Sequence, residues 1–353
     1  IYQESGGNLK EIRVPRLARF SFKWEREHNV WLAVSFVCGF TALAYEVIWS
    51  RLLVFSIAST VYSFSMMLGV FLLGIMLGSL LVVTFSRSNL NLRTVLIFLQ
   101  AGIGLYVIGS LYNIDQLLSA PWNGYNLQKP VFVFSRYFLD SSALMLLPAI
   151  GLGMSFPILV KMISGGYKHI GKETGQIYGV NTLGAILGSL LTGFLLIPKL
   201  GTQQSLLLVA TLNLLMMLFL FRTGDYFTKT LRKVMTVVLA GVILIVNMGV
   251  PPDLLDRFFM RDSTGQKDIR KLIYFEEGLT DTVAIFKDDY GVLDPNAKRL
   301  VTNGVSMSAV NFVASRYMKL LAHIPIMLVD NPQDILVVCF GTGQTTGAAA
   351  MHP

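Results

Sequence analysis

Cysteine, histidine and charge are all scarce in this chain. Its 353 residues include two cysteines, Cys38 and Cys339, near opposite ends. No disulfide framework and no zinc spacing can be built from them, and they say nothing of compartment. The four histidines, His28, His169, His323 and His352, are equally dispersed, so no metal or haem site is expected. Charged residues make up 14% of the chain, against about 25% in soluble domains, which excludes an ordinary water-facing surface. The formal charge of +8 reads as membrane orientation, and no nucleic-acid partner is expected. The chain opens on Ile1 without a signal-peptide pattern, so it is read as a stretch of a longer protein.

What is present is apolar. Hydrophobic residues reach 53%, with 23 Phe, 15 Met and 31 Gly, and the mean hydropathy is +0.59. Runs long enough to cross a bilayer need roughly 17–25 residues. Seven are expected, near 30–50, 61–85, 94–112, 139–161, 177–198, 204–222 and 234–252. After Pro251 the sequence turns alternating, charged and rich in turn residues. Lys and Arg set the orientation. They crowd residues 1–28 and recur at Arg87, Arg93, Lys161, Lys168, Lys172, Arg222, Lys229, Arg232 and Lys233. The opposite side holds only Arg51, Lys129, Arg136 and Lys199. The N-terminus is therefore expected inside, and the segment after residue 252 outside. A re-entrant span or an eighth crossing would reverse that placement.

The membrane half repeats itself. Leu73–Leu81 reads LGIMLGSLL and Leu183–Leu191 reads LGAILGSLL. Three expected spans separate the copies, so matching segments would cross in opposite directions, as in the three-plus-three inverted repeats of transporters and major-facilitator halves. Each copy carries G-x-x-x-G, at Gly74/Gly78 and Gly184/Gly188, a flat face for close helix packing. Two similar packing faces without transport would leave the same trace. Residues 1–28 interleave basic and acidic side chains with Val14, Leu17, Phe20, Phe22 and Trp24, which suits a segment on the inner membrane surface or a solvated tail.

Few polar side chains interrupt the spans. Glu46, in AYEVIWSRLL, sits in the outer third of the first span, where it could carry a proton or cation or be anchored by Arg51 or backbone. Asp140 is expected at the interface, and Asn181 and Pro157 could line a cavity. No coupled carboxylate pair stands in mid-membrane, which leaves ion-driven transport poorly supplied.

The segment after the last span supplies an order. TDTVAIFKDD and KRLVTNGVSMSA flank the turn-rich GVLDPN and predict a β-hairpin. NFVASRYMKLLAHIPIML has helical spacing and is expected to end at Pro325. NPQD then leads into ILVVCF, a buried strand, and into GTGQTTGAAA, a glycine turn of the kind that offers backbone N–H groups to a nucleotide.

Taken together, these stretches resemble the polyamine aminopropyltransferase (spermidine synthase) family, in the branch fused to a membrane domain. The resemblance rests on GFTALAYEVIWSRLL, FLLGIMLGS, IYGVNTLGAILGSLLTGFLLIPKLG, EEGLTDTVAIF, LVTNGVSMS, RYMKLLAHIP and ILVVCFGTGQTTGA. It implies an integral protein of a prokaryotic inner (plasma) membrane. A helical polytopic domain would lead into a partial α/β domain: the hairpin region and the first strand of a methyltransferase-like sheet. There an S-adenosyl-type nucleoside would sit over Gly341, Thr342, Gly343 and Gly347, and a polyamine would meet Tyr317 and His323. Met318 and Lys319 replace the His and Glu of the family's Y-H-E-x-L-x-H stretch. Met307 stands for a Gln, Thr302 for an Asp, and Thr342 for the usual Asp of the turn. No catalytic residue is assigned, because the family's later strands, with their acids, are not in this sequence.

The expected division is a basic segment 1–28, a transmembrane domain 29–252, a hairpin-and-helix region 253–330 and the start of the α/β domain at 331–353. Three functions stay open: an aminopropyltransferase, inactive as the chain stands; a non-catalytic subunit that docks other members of a membrane complex; and a transporter built on the repeat. The lipid bilayer is the one partner common to all three. An outward glycine turn also conflicts with a donor nucleoside that is a cytoplasmic metabolite.

Overall fold

In a computed structural model of the chain, residues 26–57, 60–85, 90–118, 130–163, 170–223, 228–251, 254–255, 271–288 and 294–352 are described. The basic segment expected at 1–28 lies almost wholly outside them. The helical part runs α1 (Arg26–Ile57), α2 (Val61–Phe85), α3 (Leu92–Tyr112) and a short α4 (Ile114–Leu118). Next, α5 (Pro130–Ser141) passes through a π-helical turn at Ser142–Leu146 into α6 (Leu147–Ile163). Likewise α7 (Ile170–Leu191) passes through a π-helical turn at Thr192–Leu196 into α8 (Ile197–Thr223), and α9 (Lys229–Met248) follows.

Six helical runs among the described residues are long and apolar enough to cross a membrane. Five of them match one expected span each. The other, Gly171–Thr223, is 53 residues long and takes in two. It is broken at Gly201, whose φ of 80° and ψ of 166° are not helical. That backbone region belongs almost solely to glycine, so the break is written into the sequence at one position.

Side-chain contacts give the helix directions. Residues of α1 and α7 meet in ascending order, His28 with Gln176, Ser35 with the Ile177 carbonyl and Phe36 with Gly184. The two helices are parallel. Arg93 of α3 lies over Trp31, and Gln100 donates toward Cys38, so α3 is parallel to α1 as well. By contrast α8 opposes α3, because Arg93 reaches Thr223 while Gln100 meets Asn213. Since α7 follows α1 and α8 opposes α3, the chain reverses direction at Gly201.

The two G-x-x-x-G faces are both used, and they are used alike. A Cβ on Gly184 or Gly188 would run into the carbonyl oxygens of Phe36 and Phe40 on α1. A Cβ on Gly74 would fall 3.1 Å from the Leu146 carbonyl oxygen, and one on Gly78 would run into that of Ile150, beside α6. The absence of Cβ atoms is what lets these backbones touch, and dispersion across so close a contact is the main attraction between helices in lipid. The core follows from this packing, with Tyr45, Ile48, Trp49, Leu52 and Leu53 of α1 at most 1% exposed.

Beyond α9 stands one antiparallel sheet with strand order β1-β2-β3-β4. The strands are β1 (Lys271–Glu277), β2 (Thr282–Lys287), β3 (Lys298–Thr302) and β4 (Val305–Val310). The expected pairing around GVLDPN is present as β2 with β3, from Lys287↔Lys298 to Val283↔Thr302. The stretch KRLVTNGVSMSA is not one strand but two, folded at Asn303 (φ 49°) and Gly304 (φ 77°). Asn-Gly with both residues left-handed suits the twist of a tight hairpin.

Two local expectations fail. The helix α10 (Phe312–Leu328) does not end at Pro325 but runs through it for another turn. Proline removes one donor, and the helix is already nucleated and capped by Asn311, whose Oδ1 accepts from Ala314 N–H at 2.7 Å. Ile335–Phe340 is no strand: the sheet among the described residues is β1–β4, and this stretch pairs with none of them. Leu336 is 88% exposed and Val338 76%, the reverse of the buried strand expected. A last short helix, α11 (Gln344–Ala349), follows the glycine turn.

Candidate functional site

The glycine turn docks between β4 and α10. Cys339 (φ 70°), Gly341 (φ 56°) and Gly343 (φ 75°) are all left-handed, which coils the backbone tightly before α11. Gly343 N–H closes the turn on the Phe340 carbonyl at 2.9 Å. The Thr342 hydroxyl lies 2.9 Å from that of Ser308 on β4, and both hydroxyls lie near Met318 Sδ on α10. Thr345 donates to the Met318 carbonyl at 3.0 Å, and Gln344 to the Ala309 carbonyl at 3.4 Å. The Phe340 ring lies against Gly343, with Cζ 2.8 Å from where a Cβ would be.

This arrangement holds part of what a nucleoside needs. The space that a Cβ would fill is taken by the Phe340 ring at Gly343 and by Ser308 at Gly341, and no described carboxylate hydrogen-bonds to residues 341–347. Thr342, at the position of the expected acid, spends its hydroxyl on Ser308. The turn as it stands supplies shape and backbone polarity without charge.

The expected substrate pair is only partly drawn in. His323 is beside α11, its Nδ1 2.8 Å from Nε2 of His352. Histidines that are dispersed in sequence are therefore neighbours in space, although no group of three metal-ligating side chains forms among the described residues. Tyr317 is half exposed, and no hydrogen bond ties it to the turn. Lys319 points elsewhere, into a cleft of about 450 Å3 that it lines with Arg316, Phe312, Asn311, Asn296 and Asp294.

Inside the bundle the polar groups converge on a place the sequence reading did not single out. Tyr45 donates to Asn213 Oδ1 at 2.9 Å, and Asn213 donates to Gln100 Oε1 at 2.6 Å. Gln100 then donates to Ser155 at 3.2 Å, and Ser155 to the Gly151 carbonyl at 3.0 Å. Every member is buried, and the four come from α1, α8, α3 and α6. Gln100 and Asn213 stand alone as amides within apolar runs, which is the signal that could have found them. Asn181 instead packs its backbone against Gly39, and Pro157 lies within α6.

Of the roles open to Glu46, anchoring by Arg51 is not the one formed. Glu46 is half-buried and makes no hydrogen bond among the described residues. Arg51 turns outward to the sheet, donating to the carbonyls of Gly278, at 2.9 Å, and Leu279. Asp140 is not interfacial in the sense of exposed: it is 2% exposed and 2.8 Å from Arg136, one turn earlier.

A bundle of membrane-length helices with a small antiparallel sheet and a glycine turn at one end defines the class of molecule. Compared with curated proteins, the chain is similar to a polyamine aminopropyltransferase of Oceanobacillus iheyensis. The two are 24% identical over 317 residues, covering 87% of this chain and 54% of the relative. The chain thus spans about half the length of that relative. No protein-family model matches the chain, and no solved structure matches it.

Proposed function

We propose that this chain carries the membrane part and the first soluble elements of a spermidine synthase-like protein. The observation behind this reading is the distant similarity to a polyamine aminopropyltransferase, which runs over 87% of the chain and so takes in both helices and sheet. In such a transfer a polyamine nitrogen attacks the aminopropyl carbon of decarboxylated S-adenosylmethionine. The C–N bond forms, the C–S bond breaks with its electrons going to sulfur, methylthioadenosine leaves, and the nitrogen loses a proton. The turn at Gly341 and Gly343 would cradle the donor, with Tyr317 and His323 toward the amine.

For the membrane part we propose seven crossings, with the reversal at Gly201 separating the fifth from the sixth. The first three and the next three form an inverted repeat. The glycine contacts support this: Phe36 and Phe40 face Gly184 and Gly188 as Leu146 and Ile150 face Gly74 and Gly78. The N-terminus lies on the inner side and the sheet on the outer. Maleimide labelling of Asn296→Cys in a Cys339→Ser background, in intact cells, tests this, and no labelling from outside would reverse the orientation.

A second reading, a non-catalytic subunit, is favoured by one observation: Thr342 is tied to Ser308 where an acid would be needed. The full-length protein, purified in detergent and given decarboxylated S-adenosylmethionine and putrescine, separates the two. Release of methylthioadenosine with a new triamine supports the transferase. Absence of both products, in protein shown to be folded, supports the subunit.

A further inference from the structure

A helix that starts at a chain reversal, buried against other elements, has a problem at its first turn. Its leading N–H groups lack intrahelical acceptors, and at Gly201 the capping position carries no side chain to supply one. Thr202 is only 2% exposed, so bulk water does not serve it freely either. The acceptor comes from 75 positions away: both carboxylate oxygens of Glu277 lie 3.0 Å from Thr202 N–H. The Thr202 hydroxyl donates to the same carboxylate. A negative charge at a helix N-terminus also meets the positive end of the helix dipole.

Two further contacts surround this one. Arg51, near the end of α1, donates to the Gly278 and Leu279 carbonyls, immediately after Glu277. The next hairpin tip rests on the same end of α1, where a Cβ on Gly304 would lie 3.2 Å from Phe55 Cδ1. Asn303 donates to Asp281 at 2.6 Å and so ties the two tips together. In these bundle-to-sheet hydrogen bonds Thr202 and Arg51 of the bundle donate, and Glu277, Gly278 and Leu279 accept.

We infer that the break at Gly201 and the carboxylate of Glu277 form a seat by which the bundle holds and orients the sheet. The partner surface is the chain's own β1–β2 turn, and Arg51 is its second fixing point. The seat fixes the sheet's orientation toward the membrane independently of whether the glycine turn is catalytic. Ser308, which holds Thr342, lies four residues beyond the Gly304 tip, about 13 Å along the strand.

Hydrogen exchange followed by mass spectrometry, on the full chain in detergent or nanodiscs, tests this. In the wild type the Thr202 amide should be protected, a result that needs no variant to fold. Glu277→Ala should raise exchange at Thr202 at least ten-fold, and Glu277→Gln, which keeps an acceptor, by less. Glu276→Ala, which removes the neighbouring exposed acid, should leave Thr202 unchanged. An unprotected Thr202 in the wild type overturns the seat. So does equal exchange in the wild type and Glu277→Ala, or an increase as large in Glu276→Ala.

Discussion

Replacing Gln100 by leucine probes the polar centre of the bundle more sharply than any other single change. Gln100 accepts from Asn213 at 2.6 Å and donates to Ser155 at 3.2 Å. Leucine fits the apolar surroundings but leaves the Asn213 amide donor without an acceptor. Ser155 is less affected, because it still donates to the Gly151 carbonyl. A buried group left unpaired costs about 1–3 kcal/mol, so Gln100→Leu should destabilise by that amount. Adding Asn213→Leu moves the loss to the Tyr45 hydroxyl, which had donated to Asn213. Adding Tyr45→Phe removes the last unpaired group, and the triple variant should return to within about 1 kcal/mol of wild type. Hydrogen bonds between membrane helices contribute only about 0.6 kcal/mol each on average. Unfolding followed by circular dichroism in mixed detergent micelles measures each step. Three losses that simply add, or a Gln100→Leu variant as stable as wild type, would refute the view that this is one connected network.

The glycine faces give a paired prediction. A Cβ on Gly188 would lie 2.9 Å from the Phe40 carbonyl carbon, and one on Gly78 2.9 Å from Met154 N. Valine at either position must push two backbones apart, so both variants should lose at least 2 kcal/mol by the same unfolding assay, in the range of overpacked cores. Gly201→Ala and Gly304→Ala each force a side chain into left-handed backbone, and each should cost roughly 1–3 kcal/mol. Ala in place of Gly102, inside α3 and with nothing within 4 Å of its Cβ position, should gain up to about 1 kcal/mol in the same measurement.

Much of this molecule is readable from residue order because long apolar helices and tight turns leave strong local marks. The spans follow from long apolar runs, and the close helix pairs from glycines four apart. The β2–β3 pairing follows from alternating β-formers around a turn. The Asn303-Gly304 hairpin was equally legible, but the apolar character on both sides hides the turn unless the dipeptide is weighed first. Ile335–Phe340 misleads for the opposite reason. An apolar run predicts burial, yet a strand forms only where a neighbour offers hydrogen bonds, and that is a matter of tertiary context. The polar centre escapes local reading altogether. Tyr45, Gln100, Ser155 and Asn213 lie on four helices, and nothing within any one span marks them as partners. Arg51 shows the same limit: proximity in sequence suggests Glu46, while the fold delivers two carbonyls from the sheet.

The parallel pairing of α1 with α7 bears on how the protein is made. Phe36 and the Gly184 that receives it are 148 positions apart, and three other membrane-length passages are synthesised between them. At roughly 5–20 residues per second, α1 waits on the order of ten seconds or more for its main partner. Over that interval its contact face, with the Phe36 and Phe40 backbone uncovered, waits without the helix that covers it. A chain stopped after α3 would present that face permanently, along with the face of α2 that awaits α6. The bundle is therefore a structure whose first half cannot finish packing until most of its second half has been made.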